Sequence, residues 1–463
     1  MSRTLPPINP LIFREYDVRG LVDIDLKPGV IYFIGRAIGT FIINSGGNKM
    51  AVGCDNRESS ESIKKALIDG LTDSGCDVID IGLSTSPLLY VAVCQWNLNG
   101  GVNITGSHNP IQYNGLKIVK ELARPLSGEE IKSLYRIIME DKLISGSGKL
   151  ETKDPKPEYY DRIANLIRLQ RPMKVAVDTG NGVAGAIVPP LLKRIGCEVV
   201  ELFTELDGTF PNHLPNPEHE EYLTDLKRIV LENRADIGIG FDGDGDRLGL
   251  IDEKGGYLSS DYTLILLERD FLSRHPGATV LVDIKSSRNV EFDIRQHGGI
   301  PLVWKTGHSL MKKKMWEDNI ILGGEFSGHM FVAEDYFTVD DALYAAARIL
   351  QSLSQSPQPL SAQFTNLPKL YSTPLIEVYI DEAAKFDTIK QLVAMFSKDY
   401  EVNDIDGAKV ILPDGWGLVR ASNTTPTLNL RFEADSPESL EKIKKIIFDG
   451  LKKFPAIKFE KPK

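Results

Sequence analysis

The chain has 463 residues, 42% hydrophobic and 25% charged. These are ordinary globular proportions that exclude a disordered, collagenous or coiled-coil chain, and the length exceeds what one core supports, so several domains are expected. Fifty-four basic against 64 acidic residues leave a net charge of −10, which argues against general attraction to nucleic acid or an anionic membrane and requires any anionic ligand to be held by a local positive pocket.

The first ten residues lack the basic flank, apolar stretch and cleavage site of a secretory signal, so a cytoplasmic protein is expected. Residues 30–43 form the most apolar window, but Arg36 interrupts it, and a buried helix is predicted there instead of a membrane span. The four cysteines, Cys54, Cys76, Cys94 and Cys197, contain no C-x-x-C pair and read as reduced, buried thiols.

A unit of strand ending in Asp, helix and second strand recurs three times. The copies run over residues 50–81 (Met50-Ala-Val-Gly-Cys-Asp55 onward), 174–200 (Lys174-Val-Ala-Val-Asp178) and 279–303 (Thr279-Val-Leu-Val-Asp283). Each is a β-α-β unit, with Gly75 placed as a helix cap in the first and Pro189-Pro190 in a first helical turn in the second. Polar, Gly- and Pro-rich stretches divide the chain into residues 1–153, 154–256, 257–368 and 369–463. The last part lacks the repeat and reads as strand 376–380, a helix near 383–396, strands near 410 and 428–432, and a helix from Pro437. The expected fold is α/β: three similar α/β domains with mixed or parallel sheets and a C-terminal α+β domain, around a central cleft.

Four loops could carry chemistry. Thr105-Gly-Ser-His-Asn-Pro110 presents Ser107 between glycine and proline. A Ser107–His108 hydrolase pair is disfavoured, because the G-x-S-x-G elbow is absent and adjacent residues rarely aim at one another; a phosphorylated or phosphate-binding serine fits better. Asp242-Gly-Asp-Gly-Asp-Arg247 concentrates three carboxylates in a tight turn, which a divalent metal would neutralise. An EF-hand is set aside because Arg247 stands where its glycine belongs, and a haloacid-dehalogenase-type nucleophile because Asp246 takes the fifth position of D-x-D-x-[TV]. Gly323-Gly-Glu-Phe-Ser-Gly-His329 suits recognition of sugar hydroxyls with a group free for proton transfer. Arg420-Ala-Ser-Asn-Thr-Thr-Pro426 offers a guanidinium, small polar side chains and turn amides to one phosphate.

In this order, one per domain, the four loops resemble those of the α-D-phosphohexomutase superfamily across essentially the whole chain. Phe13-Arg-Glu-Tyr-Asp-Val-Arg-Gly20, Phe210-Pro-Asn-His213 and Lys305-Thr-Gly-His308 look like its bacterial bifunctional phosphomannomutase/phosphoglucomutase group. Phe326 and Asn423 point away from ordinary phosphoglucomutases and from phosphoglucosamine mutases. The resemblance implies interconversion of hexose 1- and 6-phosphates of mannose and glucose, with Ser107 as a phosphoserine and a hexose 1,6-bisphosphate as intermediate and activator. It implies one Mg²⁺ on Ser107, Asp242, Asp244 and Asp246, catalytic roles for Ser107, His108, Lys117, Arg247 and His329, with Lys117 and His329 as the acid/base candidates, and substrate contacts from Tyr16, Arg19, Lys285, His308, Glu325, Ser327, His329, Arg420, Ser422, Asn423 and Thr424. Lys285 also follows the carboxyl end of a parallel strand, where such folds bind ligands. The implied partners are small phosphosugars, with no nucleic acid or membrane, and the chain is expected to be a monomer. The competing readings are a phosphoglucosamine mutase, a phosphosugar hydrolase and a non-catalytic phosphosugar-binding protein.

Overall fold

The computed structural model describes residues 4–422 and 425–459. Four sheets, of six, five, four and seven strands, follow one another along this part of the chain. The first three share one plan. A central strand (Lys49–Cys54, Lys174–Asp178, Thr279–Asp283) pairs in parallel with the next strand on one side and with the one after it on the other. That second partner then turns back through a hairpin onto an antiparallel strand. The three hairpins are Gly100–Ile104 with Tyr113–Lys120, Ile237–Phe241 with Leu248–Asp252, and Leu322–Gly324 with Met330–Val332.

The repeated sequence signals become repeated hydrogen bonds. The crossover helices Ser60–Asp73, Val188–Arg194 and Arg288–Gln296 are each followed by a glycine at positive φ: Gly75 at 94°, Gly196 at 99° and Gly298 at 76°. The next amide reaches back to close the helix, from Cys76 to Leu71 O (3.1 Å), Cys197 to Leu192 O (3.0 Å) and Gly299 to Ile294 O (2.8 Å). At the carboxyl ends of the central strands, Asp55, Asp178 and Asp283 accept the amide two residues on, from Arg57, Gly180 and Lys285 at 2.9–3.0 Å. Each carboxylate thereby folds its strand into a turn.

The apolar window forms the helix Pro28–Asn44, buried on most of its circumference because it packs on Ser60–Asp73. Glycines allow the close approach; a Cβ on Gly70 would lie 2.2 Å from Tyr32 O. Among the described residues no helix is long and apolar enough to cross a membrane. All four cysteines are free and buried, and burial pushes each thiol up to about 12.

The second and third units share one continuous apolar core, from Val175 and Ile239 to Val280 and Leu322. The C-terminal sheet keeps a core of its own and meets the third unit through Trp416, Leu418 and Ile284. Its strand Ile376–Ile380 and the helix starting at Pro437 lie as predicted, whereas the helix expected near 383 begins at Lys385, after a turn through Ala384.

Candidate active site

All four loops singled out in the sequence are hairpin turns at sheet ends, and the first three are the same hairpin of the repeated unit. The fourth joins Gly415–Ala421 to Thr427–Ala434.

In the serine loop, Ser107 takes a left-handed φ of 49°. Its amide donates to Thr105 Oγ1 (2.8 Å), the Gly106 amide to Asp55 (3.1 Å), and Arg57 donates to the carbonyls of Ser107 (2.8 Å), Asn109 (2.6 Å), Pro110 (3.0 Å) and Tyr113 (3.2 Å). Arg57 is therefore a brace of the loop. Arg19 also lies on this loop, donating to Gly106 O (2.7 Å) while paired with Asp17. With its backbone gripped from behind, Ser107 turns its Oγ forward, 2.8 Å from Asp242 Oδ2 and 3.1 Å from His108 Nδ1. The expectation that neighbours in sequence would not aim at one another is thus corrected, because the left-handed backbone brings both side chains to one side. Burial first, then Arg247 and Arg19, hold His108 well below the usual imidazole range.

The metal loop packs directly on the serine loop: a Cβ on Gly243 would sit 2.4 Å from Ser107 O. Asp242 accepts the amides of Asp246 (3.0 Å) and Arg247 (3.1 Å) through Oδ1. Asp244 Oδ2 accepts Ser86 Oγ (2.5 Å), and Lys117 Nζ bridges Asp244 (2.6 Å) and Asp246 (2.5 Å). Burial and the other two aspartates push the Asp242 carboxyl well up. Burial alone would lower the Lys117 ammonium, but Asp244 and Asp246 hold it well above its ordinary value. One oxygen from each of Asp242, Asp244 and Asp246 falls within 4.8 Å of the others, and Asp244 Oδ1 and Asp246 Oδ1 are buried with no hydrogen-bond partner among the described residues. Three hard, buried oxygen donors in excess of the available protons fit a small divalent cation.

The sugar loop abuts the metal loop edge to edge, with Leu248 N donating to Gly328 O (3.3 Å) and Arg247 bridged to His329. Arg247 Nε donates to His329 Nε2 (3.0 Å), and Arg247 also pairs with Glu218 at 3.6 Å. The rings of His329 and His308 stack, centroids 5.2 Å apart, and Tyr16 meets His308 edge-on. Glu325 Oε1 accepts the Gly307 amide (2.5 Å), and burial raises its carboxyl. Ser327 is half-buried at the turn. Lys285 is buried beside Asp283 (3.4 Å). Asp283 also takes Thr306 Oγ1 (2.5 Å) and the Phe326 amide (3.2 Å), drawing the 305–308 segment and the sugar loop together. The Phe326 ring lies under Arg431, 3.7 Å from its guanidinium carbon.

The fourth loop connects through Asp406, which accepts both Arg420 Nε (3.1 Å) and the Thr306 amide (3.0 Å). Ser422 N donates to Thr427 O (2.9 Å), and Ser422 Oγ accepts from the Thr425 amide at 3.2 Å. Asn423 and Thr424 lie outside the described residues. Sequence reading missed Ser86, Asp283, Asp340 and Asp406. Asp283 was detectable as the aspartate ending a repeat strand and Ser86 as the residue after a helix cap; Asp340 and Asp406 carry no local signal.

The phosphoglucomutase/phosphomannomutase family matches domain by domain: its alpha/beta/alpha domains I, II and III at residues 10–144, 157–256 and 259–371, and its C-terminal domain at residues 375–450. The chain is 45% identical to the phosphomannomutase/phosphoglucomutase of Pseudomonas aeruginosa over 98% of each chain. It is 43% identical to the phosphoglucomutase of Neisseria gonorrhoeae over 93% of this chain and 95% of that one. The crystal structure of a phosphoglucomutase/phosphomannomutase family protein from Burkholderia thailandensis superposes with a TM-score of 0.90 at 40% identity, covering 96% of this chain and 98% of that one. A four-part match in unbroken order, carried by a chain whose serine, aspartate and histidine hairpins abut, means that the protein belongs to the phosphoglucomutase/phosphomannomutase family, whose members are hexose phosphate isomerases.

Proposed function

We propose that the chain interconverts the 1- and 6-phosphates of glucose and mannose through a phosphorylated Ser107 and a hexose 1,6-bisphosphate. The placing of Ser107 Oγ 2.8 Å from Asp242, within the aspartate cluster, supports this most directly. Simple binding of a phosphosugar needs neither that hydroxyl nor three buried carboxylates. In the first half-reaction the bond from phosphorus to Ser107 Oγ breaks and a new one forms to the free hydroxyl of the hexose monophosphate, whose proton passes to a base while the departing Ser107 Oγ takes a proton from an acid; the second half-reaction runs these transfers in reverse. The bisphosphate then reverses and returns its other phosphoryl group to Ser107, so the same molecule is intermediate and activator.

Asp242, Asp244, Asp246 and the phosphoserine would hold one Mg²⁺, which when bound neutralises phosphoryl oxygens. Lys117 and His329 are the proposed proton carriers, and Arg247 and His108 the donors to the serine phosphate. Tyr16, Arg19, Lys285, His308, Glu325 and Ser327 are assigned to the sugar side, and Arg420 and Ser422, with Asn423 and Thr424, to the non-reacting phosphate. The domains are proposed to run over residues 1–153, 154–256, 257–368 and 369–463. One chain supplies every assigned group, which supports a monomer, and four unpaired buried thiols support a reducing cytoplasm.

The test is the intact mass after incubation with glucose 1,6-bisphosphate. The native protein should gain one phosphoryl group and Ser107→Ala none, while the variant loses most turnover on both hexose phosphates and keeps substrate affinity. Labelling of the variant, or near-native turnover by it, would overturn the reading.

A further inference from the structure

Asp340 lies outside the four loops, in the segment between the strand Met330–Val332 and the helix Ala342–Gln355. Its backbone is tied on both sides: it bridges to Phe331, and the next residue, Asp341, caps the helix by accepting the Tyr344 amide at 2.9 Å. The carboxylate is fully buried. Oδ1 accepts Lys312 Nζ at 2.7 Å, itself fully buried, while Oδ2 lies 3.0 Å from His329 Nδ1 and 3.5 Å from His308 Nδ1. Both imidazoles lie within ion-pair distance of that oxygen, although neither ring nitrogen is aligned for a hydrogen bond to it, and Asp246 Oδ1 is 3.7 Å from His329 Nδ1. Burial alone would raise the Asp340 carboxyl, but Lys312, His329 and His308 keep it well below the usual carboxylate range.

The other face of His329 settles which nitrogen bears the ring proton. Arg247 Nε–H is a donor with no acceptor capacity and points at His329 Nε2 from 3.0 Å. Nε2 must therefore offer its lone pair, and in the neutral ring the hydrogen sits on Nδ1, facing Asp340. We propose that Asp340 is a positioning residue of this enzyme: its carboxylate holds His329 in the Nδ1–H tautomer and keeps the Nε2 lone pair turned toward Arg247 and the metal loop. Its effect on turnover rests on the reading of His329 as a proton carrier.

The test is Asp340→Asn. An amide has one acceptor oxygen, and Lys312, a donor only, takes it. The amide NH₂ then faces His329 Nδ1, which must become the acceptor, so the ring proton moves to Nε2 and meets the Arg247 donor. The kcat of D340N should fall by about 10- to 100-fold, as it does when the carboxylate that orients a metal-bound histidine is lost, with KM changed less than about threefold. In ¹⁵N-histidine spectra the resonance that H329Q removes should switch from the Nδ1–H to the Nε2–H pattern in D340N. In an H329Q background D340N should cost no further kcat, since both act through one ring.

The double variant K312M/D340N removes the buried charge pair as a unit and frees the amide oxygen to face His329; it should recover the Nδ1–H pattern and covers the case in which D340N alone does not fold. An unchanged tautomer in D340N, a loss borne entirely by KM, full additivity with H329Q, or no recovery in the double variant would each overturn the proposal. Native kcat in H329Q would instead defeat the proton-carrier reading, and the spectra would still decide whether Asp340 sets the tautomer.

Discussion

Ser107 sits at a left-handed φ of 49°, a conformation that costs a non-glycine residue about 1–2 kcal/mol. Arg57, Thr105 and Asp55 offset that cost by gripping the loop's backbone, and the result is an Oγ that faces the aspartates. Arg57 was visible in the sequence only as a residue after a repeat strand; whether it supported the loop or met a ligand depended on where residues 106–113 fold back. A second residue-scale feature lies away from the site. Glu268 is fully buried beside Asp293, and burial first, then Asp293, push its carboxyl up to about 10 from an ordinary 4.5. The folded chain thus keeps a proton that the unfolded chain releases, so this contribution to stability is complete below about 4.5 and is lost as pH rises toward 10. Between about pH 6 and pH 9 the native protein should lose stability more steeply than Glu268→Gln, by up to about 1.4 kcal/mol per pH unit for one proton. Thermal melts across that range check it, and parallel curves would show that Glu268 does not hold the proton.

At the scale of elements, one hairpin presents three different sets of side chains. The turns between Gly100–Ile104 and Tyr113–Lys120, Ile237–Phe241 and Leu248–Asp252, and Leu322–Gly324 and Met330–Val332 hold the serine, the aspartates and the histidine. The strands and helix caps of the repeat were legible because glycine, proline and aspartate act on neighbours a few residues away. The equivalence of the hairpins was not, since the loops differ in length and share no residue pattern. Two glycines separate the roles of loop and scaffold. A Cβ on Gly243 would lie 2.4 Å from Ser107 O, a backbone atom that no side-chain rotation can move, whereas Gly196 has φ +99° and nothing within 4 Å. Gly243→Ala should push the two loops apart and lower kcat by about 10²-fold, as ångström-scale misplacement of reacting groups does. Gly196→Ala should leave kcat unchanged and cost about 1–2 kcal/mol of stability through backbone strain. Steady-state turnover and melting of the pair check both, and an inert Gly243→Ala would show that the loop contact does not control catalysis.

For the whole molecule, the question is how the fourth loop reaches the other three. Asp406 links Arg420 to the Thr306 amide, and from there Gly307 meets Glu325 and Tyr16 meets His308. The phosphate anchor proposed for the C-terminal domain is thereby tied to the residues of the third domain proposed to hold the sugar. Arg420→Ala should cost about 2–5 kcal/mol of binding, appearing as a raised KM for both hexose 1-phosphate and hexose 6-phosphate, because one loop must hold either phosphate as the sugar reverses. Arg420→Lys should recover only part, since an ammonium lacks the planar fork. Unchanged KM for both substrates would remove this loop from the site, and a loss confined to one would show separate anchors for the two orientations.

By itself the sequence determined the three β-α-β repeats, the C-terminal strands and the four chemical loops, because each depends on contiguous residues whose torsional limits, caps and alternating burial are local. Only the tertiary structure decided that Lys117 lies between Asp244 and Asp246, 127 and 129 residues away, and that His329 meets Arg247 across 82 residues. Nor could any pattern in the chain single out Asp340, whose partners Lys312, His308 and His329 all precede it at unrelated spacings. Such pairings are set by how separate sheets pack their ends together, and buried charges must find partners wherever that packing leaves them.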